Sequence, residues 1–285
     1  MKTLLLLTDF SETAESAAQY ACTLVRQLNI SNVVIYHSYP IPVPVTEPAL
    51  WVEGNEIIPQ VIIQNLMDVE KQIRDKIPKE TLIRHRADNI PLSEINEVVK
   101  EEEAGLIVMG TLNKNTLEEI ILGSNAIAVC QSSDCPVILV PAHIEIHPVG
   151  KIIFACDMKE VRETIPEANL KSILNEFNVP LTVINVDYED KHFKSETTWN
   201  TKKLHDILQG YDPDYNNISN DNIIGGIIEF ARQYPSSIVL LIARAHNFME
   251  GLFYKSLTRK LASVTPFPLL ILRELKKEKA RAHPA

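Results

Sequence analysis

Gly110 and Gly123 stand thirteen positions apart, with Ser124 directly after the second, in a chain that has only nine glycines. They follow the apolar run Leu106-Ile107-Val108-Met109. A glycine closing a buried strand and another opening a helix bring backbone N–H groups up to an anion, so anion binding is the chemistry this spacing suggests. The same residues have a plainer use. Gly123-Ser124 would simply end a loop and cap a helix, since Ser is a favoured N-cap. Asp9 carries the same two readings, a ligand contact or a turn residue capping the next helix. Tyr36 and His37, at the end of an apolar run, read as packed residues. The common phosphate loops G-x-G-x-x-G and G-x-x-x-x-G-K-[ST] are absent, as are a G-x-S-x-G elbow and H-E-x-x-H. The group Arg244-Ala245-His246-Asn247 has no nucleophile pattern beside it. No catalytic residue is assigned.

The elements that must position these residues repeat along the chain. KTLLLLTDFSET, from Lys2, matches GKIIFACDMKEVRET, from Gly150, so that Asp9 corresponds to Asp157. DCPVILVPA, from Asp134, matches PFPLLILRE, from Pro266, so that Pro136 corresponds to Pro268. Between them LSEINEVVKEEEAGLIVMG aligns without gaps to IGGIIEFARQYPSSIVLLI. Asp to Pro spans 136 − 9 = 127 positions in the first copy and 268 − 157 = 111 in the second. The extra length falls on Pro40 to Glu56, which holds four prolines and reads as a surface loop.

In the first copy, strands are expected at Lys2–Leu7, Val33–Tyr36, Thr81–Arg86, Leu106–Met109 and Val137–Val140. Ala14, Ala17, Ala18, Ala21, Leu24, Val25 and Leu28 recur at helical spacing behind Ser11 as N-cap. Further helices are expected at Ile57–Ile77, Leu92–Glu103 and from Ser124. The clearest strands of the second copy are Lys151–Cys156, Leu181–Val186, Ile238–Ile242 and Leu269–Leu272. Alternating helices and continuously apolar strands mean a parallel sheet covered on both faces. The division expected is a first domain at 1–142, a linker at 143–149, a second domain at 150–274 and a basic tail at 275–285.

Bulk properties narrow the function classes. A net charge of −9 argues against non-specific binding to nucleic acid, which needs a basic face. No apolar run approaches the ~18–20 residues of a membrane span. The apolar stretch Leu4 to Leu7 runs straight into Thr8-Asp9 with no small-residue cleavage site, so it reads as a first strand and a cytoplasmic location is expected. Cys22, Cys130, Cys135 and Cys156 show no C-x-x-C pair and no finger-like His spacing, so neither a disulfide nor a metal site is expected.

Taken together, G-x-x-N-x(9)-G-S (Gly110, Asn113, Gly123, Ser124), TDFSETAE (Thr8 to Glu15) and CPVILV (Cys135 to Val140) resemble the universal stress protein family. The family's pattern is G-x-x-G-x(9)-G-[ST]. The resemblance covers both copies and is to the tandem two-domain members. It implies two Rossmann-like, adenine-nucleotide-hydrolase-like α/β domains, each a five-stranded parallel sheet with helices on both faces. The last strands, Val137–Val140 and Leu269–Leu272, would pair across a pseudo-twofold axis to give an intramolecular pseudo-dimer. It further implies a stress-response regulator that binds ATP or a related adenine nucleotide, with Mg²⁺, in the first domain. Leu7, Thr8 and Asp9 would face adenine and ribose, with Ser38 beside the base. Met109, Gly110 and Leu112 would line the ribose and phosphate side. N–H groups of Gly123, Ser124, Asn125 and Ala126, with the Ser124 hydroxyl, would hold the phosphates.

Asn113 stands where ATP-binding members carry glycine. Asn tolerates left-handed backbone, but its side chain crowds a phosphate, so binding is expected to be weakened and not abolished. In the second copy Ile242, Ala245 and Lys255 replace Gly110, Asn113 and Gly123, and only Ser256 persists, so no cofactor is expected there. Lys114 is the nearest basic residue to the glycine stretch, and phosphoryl transfer depends on charge stabilisation and metal placement, so any ATP hydrolysis would be slow. The alternative reading is a scaffold acting through protein partners without nucleotide, and association of two such chains as a homodimer stays open.

Overall fold

A computed structural model describes residues 1–39, 59–111, 123–158, 161–187, 195–243 and 265–274. The Pro40–Glu56 stretch, Leu112, Asn113, Lys114, Arg244–Asn247, Lys255, Ser256 and the 275–285 tail lie outside the described residues.

The first half runs β1 (Thr3–Leu7), α1 (Glu12–Gln27), β2 (Asn32–Ser38), α2 (Gln60–Arg74), β3 (Leu82–Asp88), α3 (Ile95–Glu101), β4 (Ala104–Gly110), α4 (Ser124–Ser132) and β5 (Val137–Val140). The second runs β6 (Lys151–Ala155), α5 (Val161–Thr164), α6 (Glu167–Phe177), β7 (Leu181–Asp187), α7 (Ser195–Ile207), β8 (Asp214–Ser219), α8 (Ile223–Ala231), β9 (Ser237–Ala243) and β10 (Leu269–Arg273). All ten strands form one sheet in the order β3-β2-β1-β4-β5-β10-β9-β6-β7-β8. The second half repeats the order of the first in reverse, as a twofold axis between β5 and β10 requires. That pair is antiparallel, with Leu269 opposite Leu139, Leu270 opposite Ile138 and Ile271 opposite Val137. Every other pairing is parallel.

The apolar runs explain the two-sided cover. Successive strand residues point to opposite faces. Leu4 and Leu6 accordingly enter one core and Leu5 and Leu7 the other, all buried. Both cores continue across β5 and β10 into the second half. On α1 the small residues Ala14, Ala17, Ala18 and Ala21 are buried against the sheet, and Ser11 caps the helix as expected, its Oγ accepting the Ala14 N–H at 3.3 Å.

Strand registers establish the repeat independently of sequence. Leu4 pairs with Val33 and Leu106, and Ile152 with Leu181 and Ile238. This makes Gly110 equivalent to Ile242 and Val137 to Leu269. Phe10 and Met158, each one residue past the equivalent aspartates, share a left-handed backbone with φ of 63° and 56°. A non-glycine residue held there costs on the order of 1–3 kcal/mol. Because Met158 keeps the kink beside a lost glycine pattern, the kink belongs to the strand-to-helix turn. The turn before the last strand also recurs: Ser133 Oγ brackets Cys135 as Thr265 Oγ1 brackets Phe267.

Several expected elements shift. A 3₁₀ turn at Leu92–Glu94 precedes α3, so the helix expected over 92–103 is shorter. The segment equivalent to α1 is broken into α5 and α6, because Pro166 lacks an N–H and disfavours helical backbone at Ile165. Strand β8, sequence DYNNIS, is a mostly exposed edge strand with no apolar run to announce it.

All four cysteines are free thiols and buried. Burial pushes Cys22 up to about 11, against opposing pulls from Lys76 and Arg26, and pushes Cys130 and Cys135 up to about 12. These thiols stay protonated when folded at pH values where the unfolded thiol ionises, near 9. The stability they contribute is complete below pH 9 and is lost as pH rises through 11 to 12. Denaturant midpoints measured from pH 8 upward are expected to fall above pH 9. A disulfide reagent at pH 7.5 is expected to label the four thiols far more slowly in native than in denatured protein.

Candidate functional site

Parallel strands end their apolar runs at a common rim, and β1, β2 and β4 deliver their carboxyl ends to one cleft opposite the start of α4. The cleft encloses ≈ 640 Å³, part of it open solvent. Leu7, Thr8, Asp9, Ser38, Met109, Gly110, Gly123, Ser124, Asn125 and Ala126 line it together. Of the expected site residues, Leu112 and Asn113 lie outside the described residues.

Asp9 is exposed and forms a tight turn, its Oδ1 accepting the Ser11 N–H at 3.0 Å and the Ser11 hydroxyl at 2.5 Å. Thr8 Oγ1 accepts the Phe10 N–H at 3.0 Å. The turn reading of Asp9 is thus realised, and the carboxylate still borders the cleft. Gly123 is the N-cap of α4, which displaces Ser124 to the first helical position. Gly123 has φ −54° and ψ 141°, and no side-chain bond caps the helix. Its backbone would suit any residue, so left-handed geometry is not why glycine stands there. The first helical bond in this turn is Ile127 N–H to Gly123 O. The N–H groups of Ser124, Asn125 and Ala126 therefore have no acceptor among the described residues, and they carry the positive end of the helix dipole.

Gly110 has a different reason. A Cβ built on it would lie 2.5 Å from both the carbonyl carbon and oxygen of Thr13, and 2.9 Å from Ala14 N. The end of β4 passes under the first turn of α1, and only glycine fits. In the second half, where the α1 equivalent is broken, Ile242 occupies this place and packs against the core.

Sequence reasoning missed Thr13, Ala14, Tyr36, His37 and Leu92, which also line the cleft. Tyr36 is indeed packed, 1% exposed, but its ring forms a wall. Its hydroxyl donates to Asp88 Oδ1 at 2.6 Å, and burial followed by this bond raises the phenol above its ordinary value. Asp88 also accepts from Arg86 Nε at 2.8 Å and from the Ile90 N–H at 3.1 Å, while the Ser38 hydroxyl donates to Ile90 O at 2.8 Å. Burial alone would lower Arg86, yet its bonds to Asp88, Glu101 and Glu102 outweigh that and raise it. This network ties the loop after β3, and Leu92 beyond it, to the rim of β2. His37 Nδ1 lies 2.7 Å from Thr8 O, so Nδ1 carries the proton, because a carbonyl only accepts. Asn185, the second-half equivalent, makes the same bond to Cys156 O at 2.9 Å. The position of Tyr36-His37, just before Ser38, was the available signal.

No lysine or arginine is among the described residues lining the cleft. Among the described residues no group of three or more His, Cys, Asp or Glu converges as metal ligands, and no helix is long and apolar enough to cross a membrane.

Two reversed copies of a five-stranded doubly wound unit, with a helix N-terminus facing one cleft, define a tandem α/β chain. The family model for universal stress proteins matches residues 1–141. A universal stress protein of Methanocaldococcus jannaschii is 31% identical over 143 residues, 49% of this chain and 81% of that protein. The chain belongs to the universal stress protein family. Its fold is similar over its length to a universal stress protein from Archaeoglobus fulgidus, with a TM-score of 0.65, 16% identity, and 95% and 98% of the two chains covered. A functionally unknown protein from Pseudomonas aeruginosa is similar with a TM-score of 0.59, 14% identity, and 96% and 93% covered.

The Gly110 geometry yields a stability test. Gly110→Ala must push α1 away from β4, at a cost of about 1–3 kcal/mol. A lowered thermal midpoint is expected, without any ligand present.

Proposed function

We propose that the first half binds ATP or a related adenine nucleotide and that the protein is a nucleotide-sensing stress regulator. The observation that carries this reading is the set of three amides, Ser124 to Ala126, that have no acceptor among the described residues and open on the same cleft as Asp9 and Ser38. Phosphates would sit at the amides, where helix dipole and hydrogen bonds act together. The apolar walls Leu7, Tyr36, Leu92 and Met109 suit a base, and the Asp9 carboxylate suits ribose hydroxyls. Mg²⁺ would arrive with the nucleotide's phosphates. Leu112 and Asn113 would complete the phosphate side.

The second half, with Ile242 for Gly110 and Lys255 for Gly123, would hold no nucleotide. The units we assign are 1–142 and 150–274, joined by 143–149, in a cytoplasmic protein. Its role would be binding and signalling to protein partners, since the cleft offers no cation of its own among the described residues for phosphoryl transfer.

Calorimetric titration of Mg·ATP into the purified chain tests the reading, beside Gly123→Lys, which copies Lys255. One ATP per chain, lost in the variant, is expected. Asn113→Gly is expected to tighten binding. Absence of binding by the unaltered chain would sink the nucleotide reading and favour a scaffold.

A further inference from the structure

The helix that offers its amides to the cleft is held at its other end by the second half of the chain. Arg273, at the end of β10, has a side chain only 8% exposed, and its Nη1 lies 3.0 Å from Asp134 Oδ1. The same nitrogen donates to the carbonyl of Ser132, the last residue of α4. Asn169, from α6, donates to Asp134 O at 2.8 Å. From the first half, Asn96 supplies the remaining hold, donating to Ser132 O at 2.8 Å and accepting the Asp134 N–H at 2.9 Å.

The carbonyls of a helix's last turn lack intrahelical donors and favour a cation. Helix α4 has no basic residue of its own there. Asp134 is 72% exposed, so its ion pair with Arg273 is worth little. The bond from a buried guanidinium to a helix-terminal carbonyl is the stronger contact.

The contact has no mirror image. Leu272 is equivalent to Val140 by register, which places Pro141 where the second half has Arg273. Proline has no donor to offer. The half that lost the glycine pattern therefore clamps the half that kept it, and Pro141 has no donor with which to return that clamp.

We propose that Arg273 and Asn169 are positioning residues that hold α4 in place, so that the second half sets how firmly the first half's phosphate-facing amides are presented. The inference rests on the nucleotide reading above. Nine residues of helix span about 13 Å at 1.5 Å per residue. A helix that short moves as a rod, so loosening its carboxyl end tilts the amides at the other. The base and ribose side, built on β1 and β2, has no contact with Arg273.

The test uses the full chain and the variants Arg273→Ala, Asn169→Ala and Arg273→Lys, with melts to verify folding. Hydrogen exchange is measured on the α4 amides without ligand, and ATP and adenosine are titrated separately. Arg273→Ala is expected to speed exchange in α4 and to weaken ATP roughly three- to tenfold, with adenosine unchanged. Asn169→Ala is expected to act in the same direction more weakly. Arg273→Lys is expected to keep most of the affinity, because both contacts of Arg273 converge on one nitrogen. Unchanged α4 exchange, unchanged ATP affinity, or equal losses for ATP and adenosine in Arg273→Ala would each overturn the clamp while leaving the nucleotide site standing. An unaltered chain that takes up neither ligand overturns both, and that failure appears in the unaltered protein before any variant is read.

Discussion

The antiparallel pairing of β5 with β10 is the constraint on which the rest of the molecule depends. A four-residue strand, Val137–Val140, is bonded to β4 on one side and β10 on the other, and all its side chains are buried. A parallel sheet buried on both faces leaves its last strand with unpaired backbone groups that are costly to bury and hazardous to expose. Each half's last edge is the other half's partner. That exchange makes one sheet of ten strands from two sheets of five. It also carries both cores across the seam, so neither half is bounded by solvent there.

Given this seam, the two halves were free to differ elsewhere, and they did so at the rim. Backbone features of the fold persist on both sides: the left-handed kink at Phe10 and Met158, and the hydroxyl bracket at Ser133 and Thr265. Features that open the cleft persist on one side. Gly110 lets α1 sit close over β4 in the first half, whereas the equivalent helix of the second half is broken at Pro166 and Ile242 stands in the glycine's place. The same ring-nitrogen-to-carbonyl bond made by His37 is made by an amide at Asn185. The scaffold is conserved by physics, and the cleft's chemistry is not.

Much of this was legible in the amino-acid sequence because it is written in local patterns. Runs such as LLLL before Thr8 read as strands buried on both faces, and Ser11 before an alanine-rich periodicity reads as the start of a helix. The repeat supplied the pairing partners. Strand β8 was not legible, since an edge strand needs no apolar run, and DYNNIS carries none. The wall built from Tyr36, Asp88 and Arg86 was not legible either. Its members are 52 positions apart for Tyr36 and Asp88, and only the sheet register brings them together. Gly110 was read for its chemistry, while the structure gives it a steric duty as well.

The seam has a consequence for the ribosome. Strand β5 ends at Val140 and its partner begins at Leu269, 129 positions later. At a synthesis rate of roughly 5–20 residues per second, an almost complete first half waits about 6–26 seconds with its inner edge bare. Throughout that interval the nascent chain presents an apolar strand edge to every neighbour on the polysome, including other copies of itself. The order of translation thus makes the middle of the finished sheet the last part of it to close.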